Sequence, residues 1–178
     1  MKIRSHCPIN YALELWGDRW SLLIIRDMVI FGKKTYGEFL ESEEKIATNI
    51  LASRLDQLEQ NGIVVKEPSD VDKRKEIYRL TEKGLDLIPI LLEIGIWSAK
   101  HDAETDAPAD WIALVKADKE RIAHLVWETV QRGGSAFVGP DSVISQLVGA
   151  DSKTCPTEKT LFLLKGFGAG IEQDEEAQ

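Results

Sequence analysis

A helix followed at once by a basic two-stranded ribbon, at residues 46–80, constrains this chain more than any other feature. Residues 46–60 carry apolar side chains at helical spacing. At about 100° per residue, Ala47, Leu51, Leu55 and Leu58 share one side, with Ile46 and Ile50 at its edge. Asn61-Gly62 stops the helix. Two strand-like runs follow, 63–67 and 76–80, joined by a polar turn holding Lys73, Arg74 and Lys75. The other side of the helix holds Thr48, Asn49, Ala52, Ser53 and Asp56. A face that needed only solvation would use Glu and Lys. Small and amide side chains at a helix start suit a helix that enters a DNA major groove, about 12 Å wide, and hydrogen-bonds base edges there.

Helix, stop and basic ribbon together look like a winged helix-turn-helix, and the match widens on both sides. Cys7-Pro8 opens a first helix, and Trp16-Gly17-Asp18-Arg19-Trp20-Ser21 joins it to an apolar second one. Phe31-Gly32-Lys33-Lys34 leads to Tyr36-Gly37-Glu38-Phe39, then to Ile46-Ala47-Thr48-Asn49 and Leu55-Asp56-Gln57-Leu58-Glu59. Asn61-Gly62-Ile63-Val64 begins the wing, Tyr78-Arg79-Leu80-Thr81-Glu82-Lys83-Gly84 closes it, and Trp97 sits in the last helix of the set. In this order and spacing the chain resembles HxlR-type winged-helix transcriptional regulators over about residues 5–101. No single piece is diagnostic, since Leu-Thr-Glu-Lys-Gly occurs in many winged helices; the ordered set is strong. The resemblance implies a mainly α fold with a small β-hairpin wing. It implies a homodimeric repressor whose partner is double-stranded DNA with a pseudo-palindromic operator, and the composition makes the cytoplasm the default compartment. Two reading helices would then lie about 34 Å apart.

The resemblance also gives Cys7 a role, since in some members the cysteine at this position senses quinones, aldehydes or oxidants. A thiol at a helix N-terminus meets the positive end of the helix dipole, which favours thiolate chemistry. Arg4 and Arg19 support that effect, Glu14 and Asp18 oppose it, and a packed or idle residue is the alternative. Family members often carry Ser or Thr where Ala47 stands, so the cap of the reading helix is expected at Thr48.

The flanking elements are legible too. Pro8 suits a first helical position, with Cys7 as N-cap, and Gly17 should break that helix. A second helix over about 18–29 carries Trp20, Leu23, Ile24 and Met28 at helical spacing. Thr35-Tyr36-Gly37-Glu38 fits a capping box and starts a short third helix through Leu40. Thr81 should cap a fifth helix in which Gly84 allows close approach to the wing and Pro89 makes a kink. That helix carries Leu85, Ile88, Leu92 and Trp97 on one side and Leu87, Ile90, Leu91, Ile94 and Ile96 on another. So much apolar surface fits either a dimer interface or burial in a larger monomer.

The expected DNA contacts follow. Thr48, Asn49 and Ser53 should meet base edges or nearby phosphates, Asn pairing in two-point fashion with adenine. Lys34 and Thr35, just ahead of the third helix, join the set. Lys73, Arg74 and Lys75 should neutralise phosphates, with Asp70 and Asp72 beside them as a moderating pair. Arg54 lies at the boundary of the face and fits a phosphate contact or an internal ion pair.

A net charge of −8 looks wrong for a DNA partner until it is divided. Residues 1–100 hold 15 Lys and Arg against 16 Asp and Glu, while residues 101–178 hold 7 against 14. The acidity belongs to the second part, and the first bunches its cations at Lys33-Lys34 and at 73–75. Asp86 and Glu93 interrupt the longest apolar run, which excludes a membrane span there. Residues 1–6 lack an apolar signal-peptide core. Cys7 and Cys155 are too far apart to give a disulfide framework or a zinc spacing, and His6, His101 and His124 show no metal-ligand spacing. No nucleophile triad, HExxH pattern or phosphate loop occurs, and 166–170 opens no helix despite its glycines. No catalytic residue, metal or cofactor is expected.

Three segments result: 1–101 for DNA binding and dimerisation, 102–171 as a mostly helical extension, and 172–178 as an acidic tail. The extension reads as a linker at 102–110, a helix at 110–132 ended by Gly133-Gly134, and a short helix near 141–148. Residues 135–138 and 160–164 fit strands or short helices. The extension would brace the dimer, form a pocket for a small-molecule effector, or dock a protein; Trp111 and Trp127 read as packing residues. The alternative for the whole chain is a winged helix used for protein-protein interaction, which the acidity favours and the Thr48/Asn49/Ser53 face opposes.

Overall fold

The computed structural model describes residues 5–69 and 72–150. Pro8 opens α1 (Pro8–Trp16) with Cys7 at the N-cap. Gly17 is its C-cap, with its amide on Leu13 O at 2.9 Å, and the site admits only glycine because a Cβ there would lie 2.5 Å from Leu13 Cα. Asp18 then caps α2 (Arg19–Arg26), accepting the Trp20 and Ser21 amides at 2.9 and 3.1 Å.

The expected helix to Val29 does not stay regular. It widens into a π turn at Asp27–Phe31, and Gly32 at φ +70° stops it. Two sets of contacts stabilise the wider turn. The buried Asp27 carboxylate is shared by Arg26, Lys33 and the Ser42 hydroxyl. The carbonyls of Val29 and Ile30 accept the amides of Ala136 and Phe137 at 2.8 and 3.1 Å.

Thr35 and Glu38 form the expected capping box at α3 (Tyr36–Leu40), with Glu38 N donating to Thr35 Oγ1 at 3.3 Å and Thr35 N to Glu38 at 2.7 Å. The reading helix α4 covers Thr48–Gln60, so it starts later than residue 46. Ile46 is buried ahead of it, but Ala47 is exposed and extended at the N-cap, not on the apolar side. Leu51, Leu55 and Leu58 are fully buried, each worth about 1.5–3 kcal/mol relative to exposure. Gly62, at φ +67°, turns the chain into the wing.

The wing is an antiparallel pair, β1 (Val64–Pro68) and β2 (Glu76–Leu80), with Val64 opposite Leu80 and Pro68 opposite Glu76. Tyr78 packs edge-on against Phe39, ring centroids 6.1 Å apart, which fixes the wing to α3. Asp70, half of the acidic pair expected at the tip, lies outside the described residues.

The kinked fifth helix is instead two helices. Thr81 caps α5 (Glu82–Leu85), and a new helix, α6 (Ile88–His101), begins with Pro89 in its first turn. Proline lacks an amide, so a helix start accommodates it where an interior would lose a hydrogen bond. Gly84 meets the wing as expected: a Cβ there would lie 2.2 Å from Ile63 O.

The extension adds α7 (Ala109–Ala117), α8 (Lys119–Gln131) and α9 (Val143–Ala150). The single helix expected over 110–132 breaks at Asp118, whose side chain accepts the Arg121 amide at 3.1 Å and restarts the chain as α8. Residues 135–138 form neither strand nor helix, because their amides serve the π turn and the Ser135 hydroxyl. One continuous core runs from Leu15 through α4 and the wing to Trp111, Val115, Ile122, Val126 and Val143. Cys155, residues 160–164 and 166–170, and the 172–178 tail lie outside the described residues.

Candidate nucleic-acid interface

Thr48, Asn49, Ala52, Ser53 and Asp56 are all exposed on one side of α4, opposite the buried leucines. The cap expected at Thr48 is not there. Ala47 holds the N-cap position without a side-chain hydrogen bond, and Thr48 is the first helical residue. A residue already in helical conformation cannot supply the extended backbone of a cap. The first amides of α4 therefore lack a side-chain acceptor, the arrangement that suits an anion at a helix start.

Neighbouring elements hold this helix in place. The Tyr36 hydroxyl donates to Thr48 O at 2.7 Å, tying the start of α3 to the start of α4. Arg54 Nε stands 3.0 Å from Asp18 Oδ1, and Arg54 Nη1 donates to Gln57 Oε1 at 2.7 Å. Of the two roles expected for Arg54, the geometry supplies the internal ion pair. Arg26 adds a third brace by forking onto Glu44 in the α3–α4 turn, Nη2 to Oε2 at 3.0 Å. Hydrogen bonding from Arg26 holds the Glu44 carboxyl below its ordinary value, against a smaller opposing effect of burial.

Thr35 and Lys34, both expected at DNA, have partners within the chain. The Thr35 hydroxyl accepts Glu38 N in the capping box. Burial opposes ionisation of Glu38, but hydrogen bonds from the Lys34 and Thr35 amides outweigh it and lower its pKa. Lys34 Nζ donates to Gly133 O at 2.6 Å, and Lys33 Nζ reaches Asp27 and Ser42 at 3.2 and 2.7 Å. The Lys33-Lys34 cluster read as a phosphate point is thus turned inward, because a buried carboxylate and a helix-end carbonyl lie within reach.

The wing tip is the exposed basic point. Lys73, Arg74 and Lys75 are exposed, and Lys73 and Lys75 have no carboxylate hydrogen-bonded to them among the described residues. Arg74, with 91% of its side chain accessible, leans on Asp72, Nε to Oδ1 at 3.1 Å. That contact, with the Arg74 amide, keeps the Asp72 carboxyl below its usual range. Nearer the wing base, Lys66 pairs with Glu76 and Arg79 with Glu67.

Two apolar faces lie open elsewhere. On α6, Ile90, Ile94 and Trp97 are exposed one turn apart, Trp97 at 64%. Burial of Ile88 and Leu92 on the opposite side of α6 leaves this stripe outward, so Trp97 does not share their side, nor that of Leu85 buried on α5, as its spacing suggested. On α1, Ile9 and Leu13 are also exposed, four residues apart on one side, with Tyr11 exposed on the other, a feature the sequence reading missed although the i, i+4 spacing was visible. Cys7 is exposed at the start of the same helix. Among the described residues no group of three His, Cys, Asp or Glu could hold a metal ion, and no helix is long and apolar enough to cross a membrane.

The architecture matches known proteins over this same region. The family model described as HxlR-like helix-turn-helix covers residues 15–106. YodB, an HTH-type transcriptional regulator of Bacillus subtilis strain 168, is 39% identical over 93 residues, 52% of this chain and 82% of its own. YdeP, an uncharacterised HTH-type transcriptional regulator of the same organism, is 31% identical over 100 residues, 56% of this chain and 77% of its own. The crystal structure of PA1607 superposes with a TM-score of 0.52 at 38% identity, covering 57% of this chain and 72% of that one.

Proposed function

This chain belongs to the HxlR-like helix-turn-helix family, whose relatives here are transcriptional regulators and not enzymes, and from that membership we propose that it is a sequence-specific, homodimeric DNA-binding repressor of the cytoplasm. One observation carries the reading. The exposed side of α4 presents Thr48, Asn49, Ala52 and Ser53 at an uncapped helix start, with the exposed cations of the wing tip beyond it. Small side chains let the helix seat deeply, while Thr48, Asn49 and Ser53 hydrogen-bond base edges or adjacent phosphates. Lys73, Arg74 and Lys75 neutralise phosphate on the flank. Arg54 and Thr35 serve by holding α4 and α3.

Residues 1–101 form the DNA-binding and dimerisation unit, with Ile9 and Leu13 of α1 and the exposed stripe of α6 as the interface. Residues 102–171 brace it or take an effector. A homodimer places two copies of α4 on successive turns of a pseudo-palindromic operator. The signal is a small molecule, an oxidant or an electrophile. Cys7 is its reporter, since it is exposed at the start of the helix whose apolar face would enter the interface, and a bulky adduct there would shift α1 and the spacing of the two reading helices. If replacing Cys7 with Ser left electrophile-driven release from DNA unchanged, Cys7 would be excluded. Docking to a protein instead of DNA is the second reading, favoured by the pairing of Arg74 with Asp72 and by the acidic extension.

Selection of bound fragments from a random-sequence DNA pool tests the proposal. Enrichment of a two-fold symmetric site is expected. Weak, salt-sensitive binding without enrichment would favour the docking reading.

A further inference from the structure

Lys34 stands where three parts of the reading unit meet. Its carbonyl accepts the Tyr78 amide of the wing at 2.7 Å. The next residue, Thr35, caps α3, and the one after, Tyr36, holds the first residue of α4 through its hydroxyl. The sequence reading expects a lysine so placed to meet a phosphate beside the reading helix and the wing. Its ammonium is turned the other way, onto Gly133 O at 2.6 Å.

The segment that receives it is held at several points. Arg132 ends α8, and Gly133 at φ +89° turns the chain back, with its amide on Val130 O and that of Gly134 on Thr129 O, both at 2.9 Å. Ala136 and Phe137 then donate to the carbonyls of Val29 and Ile30. Phe137 packs at a right angle on Trp111, ring centroids 5.1 Å apart. Ser135 closes over Gly32, where a Cβ would sit 3.1 Å from the Ser135 Cβ.

We propose that residues 133–137 form a strap that withholds Lys34 from DNA, and that its release adds one phosphate contact to the reading unit. This rests on the DNA-binding reading above. A neutral carbonyl is a weaker acceptor for an ammonium than an ionised phosphate, so the strap holds Lys34 only while its backbone contacts persist. Any event in the extension that lifts the strap therefore tightens DNA binding without touching α4.

Two variants open the strap from different ends. Gly133→Ala puts a side chain at a left-handed φ, with its Cβ 3.3 Å from Arg79 Nη1 and 3.5 Å from Lys34 Nζ. Phe137→Ala removes the ring packed on Trp111 and covers the case in which Gly133→Ala does not fold. The first readout uses no DNA: acetylation by N-hydroxysuccinimidyl acetate, followed lysine by lysine by mass spectrometry on the full chain. Lys34 should react several-fold more slowly than Lys73 and Lys75 in the parent and approach their rate in either variant. Equal rates in the parent, or no change in a folded variant, would overturn the strap. The second readout is the salt dependence of binding to a random-sequence duplex. Its slope should steepen by about one in an opened variant and return when Lys34→Gln is added. A freed Lys34 with an unchanged slope would overturn the competition with phosphate. Release of Lys34 with no duplex binding by any variant would remove the DNA reading, and the phosphate half of the proposal with it, while the strap itself would stand.

Discussion

The Tyr36 hydroxyl donates to the carbonyl of Thr48 at 2.7 Å, so the first turn of α3 is hydrogen-bonded to the first residue of α4. The two helices of a helix-turn-helix need a fixed angle, because the first sets how the second enters the groove. Here the phenol oxygen ties the two helices at the end where base contacts would be made, beside the Arg26 brace onto Glu44 in the turn between them. Tyr36→Phe should cost about 1 kcal/mol or less in stability, as a single partly exposed hydrogen bond does. It should lower affinity for the selected site more than affinity for random DNA. Chemical denaturation beside paired binding curves checks both, and an equal loss on the two DNAs would deny Tyr36 this positioning role.

Arg74 should act on phosphate without reading sequence. Arg74→Ala is expected to weaken binding to every duplex and to flatten the salt dependence by about one unit of slope. A variant that kept the parent's slope would remove Arg74 from the phosphate set and point to its pairing with Asp72 as its whole function.

Gly84 has no room for a side chain, since the methyl of alanine would fall 2.2 Å from the backbone oxygen of Ile63. Backbone cannot step aside as a flexible side chain can. Gly84→Ala should therefore destabilise the fold by about 1–3 kcal/mol, the cost of overpacking. A urea midpoint equal to the parent's would show that α5 and the wing separate freely.

Glu38 gives a pH dependence with a definite sign. Its carboxyl is lowered in the folded chain, so its contribution is fully present above the ordinary glutamate value of about 4.3 and is lost as pH falls through the lower folded value. Glu38→Gln should be less stable than the parent at pH 7, with the gap closing below about pH 4. A gap independent of pH would mean that the cap works without its charge.

The open stripe on α6 predicts the oligomeric state. The parent should sediment as a dimer, and Ile94→Glu as a monomer, because a carboxylate buried without a partner is strongly unfavourable. A parent that is monomeric at working concentrations would return Ile94 and Trp97 to the status of solvent-facing apolar residues.

The parts of the fold written in local signals were legible in the sequence. Pro8, the Thr35-Glu38 box, the Leu51-Leu55-Leu58 repeat and the Gly62 turn each act within a few residues, and each stands where its chemistry placed it. Pro89 misled because a proline serves a helix start as well as it kinks an interior, and only the chain's break at Asp86-Leu87 decides between them. Asp118 misled in the same way, as a polar residue within an apolar pattern that proved to be a cap. Lys33 reaches Asp27, six residues back, only because of the π turn, and Lys34 could not have been assigned at all, since Gly133 lies 99 residues beyond. Contacts made through tertiary structure leave no local trace. The bare α4 cap at Ala47 was hinted at by its residue type, although the expectation moved the cap to Thr48.

The claim that the exposed face of α4 reads DNA is tested most directly by Asn49→Ala, measured on the selected site and on random duplex at matched salt. Loss of a two-point contact to a base should cost about 1–3 kcal/mol on the selected site, roughly 5- to 150-fold, and leave random-duplex affinity within experimental error. Equal affinities for parent and variant on the selected site, or an equal loss on both DNAs, would contradict it.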